Sequence, residues 1–150
     1  VLSADELPEA LGLASGQCLA VRMYEADDRL AALCVPAGAT PAPSAVLAAT
    51  GARRIGLAPV ERVNAVTQFA GGLVAPLLLP DDVQVVLDAS LACRDVVYTP
   101  TGESGTALGI HARDLIGVTG AVVTNLLTPP TVDLDDDLRS LQPPGAWSER

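Results

Sequence analysis

The sequence predicts an α/β (α+β) fold, a single domain with a mixed β-sheet flanked by short helices. Three observations lead there. Strand-like apolar runs alternate with short helical stretches along the whole chain. Glycine and proline, 13 and 12 of 150 residues, break these runs at close intervals, so the elements are short. Hydrophobic residues make up 49% while aromatics are only 3%, so the core is built from Ala, Val and Leu in closely approaching elements. The length suits one domain with a real core.

The elements follow in order. Ser3 opens a capping-box pattern with Glu6, and a short helix runs to about Leu11, closed by Gly12. Gln17 to Tyr24 reads as a strand, Glu25 to Asp28 as a turn, and Arg29 to Val35 as the returning strand of a hairpin. A Pro/Gly/Ala loop leads to a helix from Pro43 to Thr50 with Gly51 as its stop. Arg53 to Leu57 is a short strand, and Val60 to Phe69 a helix with Val63, Val66 and Phe69 near one face. Ala89 to Cys93 forms a helical turn. Asp95 to Tyr98 and Thr106 to Ile110 are strands joined by TPTGESG, Arg113 to Val118 is a helix, and Gly120 to Leu126 is the last strand. The domain spans residues 1–127; residues 128–150, with four prolines and an acidic cluster, form a surface tail.

Charge and composition exclude several classes of function. The net charge is −9, and every basic residue is arginine, so no lysine can serve as nucleophile, base or phosphate anchor. The acidic balance opposes strong nonspecific nucleic-acid binding. Arg53, Arg54 and Arg62 are the best local basic patch, with a solvated face as the default reading. Cys18, Cys34 and Cys93 are odd in number and lack metal-ligand spacing. They read as buried, reduced thiols of a cytoplasmic protein, with no metal and no cofactor. The longest apolar run, Leu73 to Leu79, contains Pro76 and is too short for a membrane span of ~18 residues. Asp5, Glu6 and Glu9 stand where a secretory leader would be basic.

The stretch Gly71 to Asp88, GGLVAPLLLPDDVQVVLD, organises the rest. Paired glycines allow close backbone approach, Pro76 stiffens the loop, and an apolar strand ends on Asp88. It reads either as a surface turn before a core strand or as a loop and strand that bring one acid to a cavity edge. Ser90 reads as a cap or turn residue, and His111 as a loop or helix-start residue, since neither has a partner nearby in sequence.

These stretches together resemble a known family. GLASGQCLAV enters the first strand, GLVAP forms a Gly-x-x-x-Pro loop at Gly72 to Pro76, and VVLDASL surrounds Asp88. TGESGTALGI makes a glycine turn, and RDLIGVTGAVVTNL closes the domain. The set, in this order, is similar to the YbaK/ProX-type aminoacyl-tRNA deacylases, relatives of the editing domain of prolyl-tRNA synthetases. The resemblance covers about Leu7 to Leu126. It implies a partly barrel-like sheet whose cleft holds the terminal adenosine and aminoacyl group of a mischarged tRNA. The partners it implies are the tRNA acceptor end and a prolyl-tRNA synthetase.

The implied chemistry is hydrolysis of a small aminoacyl ester, such as Cys- or Ala-tRNA-Pro, by positioning and oxyanion stabilisation. The resemblance assigns the oxyanion contact to Gly102, with Ser104 and Gly105 beside it. Gly71, Gly72, Leu73, Val74, Ala75 and Pro76 wall the amino-acid pocket, and Asp88 anchors the cleft from beneath. The chain departs from the pattern at Gln17, where the family carries a lysine; glutamine can donate a hydrogen bond there but brings no charge. Arg22 lies in the same predicted strand with the opposite facing. The alternative is therefore a weak or inactive homologue that acts as a binding module. A third reading, a protein-interaction domain, rests on the acidic tail alone.

Overall fold

Two apolar strands joined by two residues begin the core. The structure, a computed structural model, describes residues 4–67, 75–77, 79–80, 82–101 and 106–127. β1 (Leu19–Ala26) and β2 (Arg29–Pro36) pair antiparallel from Leu19↔Pro36 to Ala26↔Arg29. Only Asp27 and Asp28 form the turn, and Asp27 takes φ 56, a conformation that Asp tolerates better than most residues. The Asp27 carboxylate also accepts from the Arg53 and Arg54 backbone N–H groups. That clamp lays the following segment along β1, where β3 (Ile55–Leu57) pairs antiparallel.

On the other side, β4 (Gln84–Asp88) and β7 (Val122–Thr124) add in parallel, giving the order β3-β1-β2-β4-β7. The mixed sheet is thus as expected. Alternate residues feed two separate cores, as the period of two requires. Leu19, Val21, Met23, Leu30, Ala32 and Cys34 face one layer, which takes Val63 of α3 (Val60–Thr67), Leu91 of α4 (Ala89–Ala92) and Leu115 of α5 (Ala112–Thr119). Tyr24, Ala31, Leu33 and Val35 face the other, against Val46 of α2 (Pro43–Thr50). Both faces are therefore covered, and small side chains let the helices sit close.

β5 (Val96–Pro100) and β6 (Ala107–His111) form a second, two-stranded ladder outside the main sheet. It meets β1 through one bridge, Cys18↔Tyr98. Because β2 occupies the other edge of β1, this bridge lies on the edge that also carries β3. The Tyr98 ring lies over Gly109, its cross-strand neighbour; a Cβ there would fall 2.9 Å from the ring.

Several boundaries differ from the sequence reading. The first strand begins at Leu19, because a 3-10 turn over Ser15–Gln17 precedes it, and the short strand begins at Ile55 rather than Arg53. α1 (Leu7–Leu11) follows a 3-10 turn over Ala4–Glu6 and ends on Gly12 as expected. Cys18 and Cys34 are buried, but Cys93 is exposed, because it follows the last turn of a four-residue helix at the surface. Arg53, Arg54 and Arg62 all meet the β1–β2 hairpin tip, the first two through their backbone N–H groups. Arg62 binds the Glu25 carboxylate and donates to the Asp28 carbonyl at 2.9 Å, so it braces the hairpin tip. Residues 68–70 and 128–150, including Phe69 and the predicted tail, lie outside the described residues.

Arg22 ties the N-terminal segment to the sheet. It makes a bidentate pair with Asp5, at 2.9 and 2.7 Å, and donates to the Ala39 carbonyl. The Gly38 N–H also donates to Asp5 at 2.8 Å. The Arg22 hydrogen bond, helped by Gly38 and by the guanidinium charge, holds the Asp5 carboxyl below its ordinary range despite partial burial. A depressed pKa stabilises the fold above the unfolded value, near pH ~4, and that contribution fades as pH falls through the folded value. Asp5→Asn should therefore cost up to about 1 kcal/mol at pH 7, measured by urea unfolding, with the gap narrowing in acid. A gap that does not change with pH would contradict this. Burial pushes the Cys34 thiol up to about 12 and raises Cys18 as well. A disulfide reagent should then modify Cys93 alone in the native protein and all three thiols after denaturation; two fast native thiols would refute the packing.

Candidate active site

Gln17 and Asp88 are the polar side chains of the sequence reading that the described residues contain. Gln17 closes the 3-10 turn before β1. Its N–H donates to the Ala14 carbonyl at 3.0 Å, and its side-chain Oε1 accepts from the Ala14 N–H at 3.2 Å. The side chain is half-buried, and its amide NH2 has no protein partner among the described residues. Gln17 thus presents two N–H donors and no charge.

Asp88 is 3% exposed, so its carboxylate needs protein partners. Oδ2 accepts from the Ser90 N–H at 3.1 Å and from the Ser90 hydroxyl, and Oδ1 accepts from the Leu126 N–H at 2.7 Å. Asp88 is the N-cap of α4, and Ser90 is a donor in its first turn rather than the cap itself. His111 is the N-cap residue of α5, with Nδ1 3.2 Å from the Asp95 carbonyl, in keeping with a helix-start role.

Ala75 and Pro76 are buried. Pro76 lines a cavity of about 330 Å³ with Leu79, Pro80, Val83, Val85, Val118 and Thr119. Neither Gln17 nor Asp88 lines it. Gly71, Gly72, Leu73, Val74, Gly102, Ser104 and Gly105 lie outside the described residues.

A second cavity, of about 420 Å³, is lined by Ala92, Cys93, Arg94, Asp95, His111 and Arg113. It sits next to the turn that carries Gln17. Gly16 leaves room for the Arg94 guanidinium; a Cβ at Gly16 would lie 2.5 Å from Arg94 Nη2. The two cavities occupy opposite ends of α5, Arg113 in its first turn and Thr119 at its last residue. Six residues of helix separate these by about 9 Å. The sequence reading does not single out Arg94 and Arg113; the observed register, Val96↔His111, brings residues 94–95 opposite residues 112–113.

Residues 1–118 match the aminoacyl-tRNA editing domain family. The chain belongs to that family, as a YbaK/ProX-type editing domain. A solved structure of a hypothetical protein superposes with a TM-score of 0.77 at 24% identity, covering 84% of each chain. A candidate trans-editing enzyme for prolyl-tRNA synthetase superposes with a TM-score of 0.76 at 22% identity, covering 84% of this chain and 80% of the other. At such identities these two likenesses speak for the fold. No curated protein matches the sequence. Among the described residues no helix is long and apolar enough to cross a membrane, and no group of three or more His, Cys, Asp or Glu could hold a metal ion.

The hydrogen bonds of Asp88 define a structural test. Asp88→Ala leaves the Leu126 and Ser90 N–H groups unpaired where no water replaces the carboxylate, which should cost about 3 kcal/mol in urea unfolding. A loss under about 0.5 kcal/mol, the range of an ordinary surface change, would show that Asp88 does not hold these elements together.

Proposed function

We propose that this editing domain is a trans-acting hydrolase that deacylates mischarged tRNA carrying a small amino acid, such as Cys- or Ala-tRNA-Pro. The family membership of residues 1–118 carries the reading. Its partners are the tRNA acceptor end and, through it, a prolyl-tRNA synthetase. The unpartnered amide of Gln17, in the turn before β1, supports the reading.

The chemistry asks little of the protein. The aminoacyl ester is already activated, so water needs a positioned carbonyl and a stabilised oxyanion. Water adds to the ester carbonyl, the tetrahedral oxyanion collapses, the ribose oxygen leaves and takes a proton, and the free amino acid departs. Backbone N–H groups at Gly102, flanked by Ser104 and Gly105, are assigned to the oxyanion in this reading, and the Gln17 amide donates a second hydrogen bond. Gly71, Gly72, Leu73, Val74, Ala75 and Pro76 form the amino-acid wall. A small apolar wall separates substrates by about 1–3 kcal/mol per methylene, so size is the criterion of choice. Asp88 contributes by holding α4 in place beneath the cleft, through its bonds to Ser90 and Leu126.

A second reading is favoured by one observation. The Gln17 carbonyl oxygen is already engaged by Ala14, and no charge stands at this position. A domain that binds the acylated end without cleaving it would look the same.

Purified protein incubated with Cys-, Ala- and Ser-charged tRNA-Pro should release amino acid faster than the uncatalysed rate from at least one of them. Gln17→Ala should lower kcat/KM about fivefold, as expected for one neutral hydrogen bond. No ester loss in the whole panel overturns the hydrolase. If Gln17→Lys creates activity that the parent lacks, the binding-module reading takes its place.

A further inference from the structure

The cavity beside Gln17 has a charge pattern at odds with the rest of the chain. The protein carries a net charge of −9, and the two ion pairs among the described residues engage Arg22 and Arg62. Arg94 and Arg113 have no carboxylate partner and no hydrogen bond among the described residues, and both line the same 420 Å³ cavity. Arg94 comes from the turn after α4 and Arg113 from the first turn of α5, so two arginines from different elements line one space.

The remaining lining groups refine the ligand. His111 Nδ1 lies 3.2 Å from the Asp95 carbonyl, so that nitrogen is taken up within the wall. The N-terminal end of α5, eight residues long, adds partial positive charge on the same side. Asp95 places one carboxylate in the wall and so penalises a highly charged anion such as a diphosphate. The planar forks of arginine match the oxygens of a single phosphate group better than a spherical ion. Because Arg94 packs over Gly16, this cation borders the residue that precedes Gln17.

We propose that this cavity is a phosphate subsite, in which Arg94 and Arg113 hold one backbone phosphate of an RNA whose terminal nucleotide lies at Gln17. The inference rests on the function proposed above for its RNA partner. It assigns the anchoring charge to two arginines outside the ester-cleaving groups. Gln17 then needs only to orient the acyl end, since the charge that fixes the strand comes from the far side of Gly16.

The test compares the parent with Arg94→Gln, Arg113→Gln and the double variant, each first shown to unfold at the parent's urea midpoint. The probes are adenosine, a trinucleotide RNA ending in adenosine, and inorganic phosphate. The parent should bind the trinucleotide more tightly than adenosine, and each substitution should weaken that binding about fivefold while leaving adenosine unaffected. The slope of log affinity against log salt should fall by about 0.7 per arginine removed. Inorganic phosphate should compete with the trinucleotide in the parent alone. If Arg94→Gln is destabilised through its contact with Gly16, Arg113→Gln decides by itself.

An unchanged affinity and salt slope in the double variant overturns the proposal. Arginine-dependent binding of inorganic phosphate without any binding of the RNA also overturns it, and assigns the cavity to a free phosphate. Arginine-dependent RNA binding by a protein that leaves every ester intact supports the subsite and refutes the hydrolase. Ester hydrolysis whose KM and salt dependence ignore both arginines refutes the subsite alone.

Discussion

One buried carboxylate holds together the parts of this domain on which the site depends. Asp88 ends the inner strand β4, caps α4 through Ser90, and accepts the Leu126 N–H just beyond β7. Leu126 in turn accepts the Ala42 N–H, the residue that precedes α2. Four elements from distant parts of the chain thus share a short chain of hydrogen bonds. A carboxylate 3% exposed is tolerable only because its oxygens are met by donors from fixed backbone. Its position fixes where α4 begins, and the four-residue helix then leads into Cys93, Arg94 and Asp95.

The aliphatic core makes this closeness possible. With aromatics at 3%, helices approach the sheet over Ala, Val and Leu, and both faces of β1 and β2 are filled. Glycine completes the arrangement where groups must touch. Gly16 admits the Arg94 guanidinium and Gly109 admits the Tyr98 ring, so the turn and the hairpin sit close at the edge of β1. The result is an edge that carries β3 at one end and the β5–β6 hairpin at the other, leaving Gln17 between the sheet and the hairpin.

An editing domain of this family acts on an ester that is poised to hydrolyse, so its task is to choose and to hold rather than to activate. Two cavities lie at opposite ends of α5: one borders Pro76 at its C-terminal end, and one borders Arg94 and Arg113 at its N-terminal end. A chain without lysine must recruit arginine for any anchoring charge. Arginine's longer reach and fixed fork allow that charge to come from a neighbouring element instead of the strand itself.

The elements themselves were legible in the sequence, because they rest on local chemistry. Pro43 and Gly51 bound α2, apolar runs mark β1 and β2, and Gly12 stops α1. Asp88 stood out as a polar residue closing an apolar strand, for the same reason. Gln17 was misplaced into the strand because a side chain that bonds its own backbone three residues back leaves no mark in hydrophobic periodicity. The pairing of Arg94 with Arg113 and the exposure of Cys93 arose only in three dimensions. They depend on hairpin register and on a helix of four residues, and such non-local geometry follows from how the elements pack, which a one-dimensional pattern does not record.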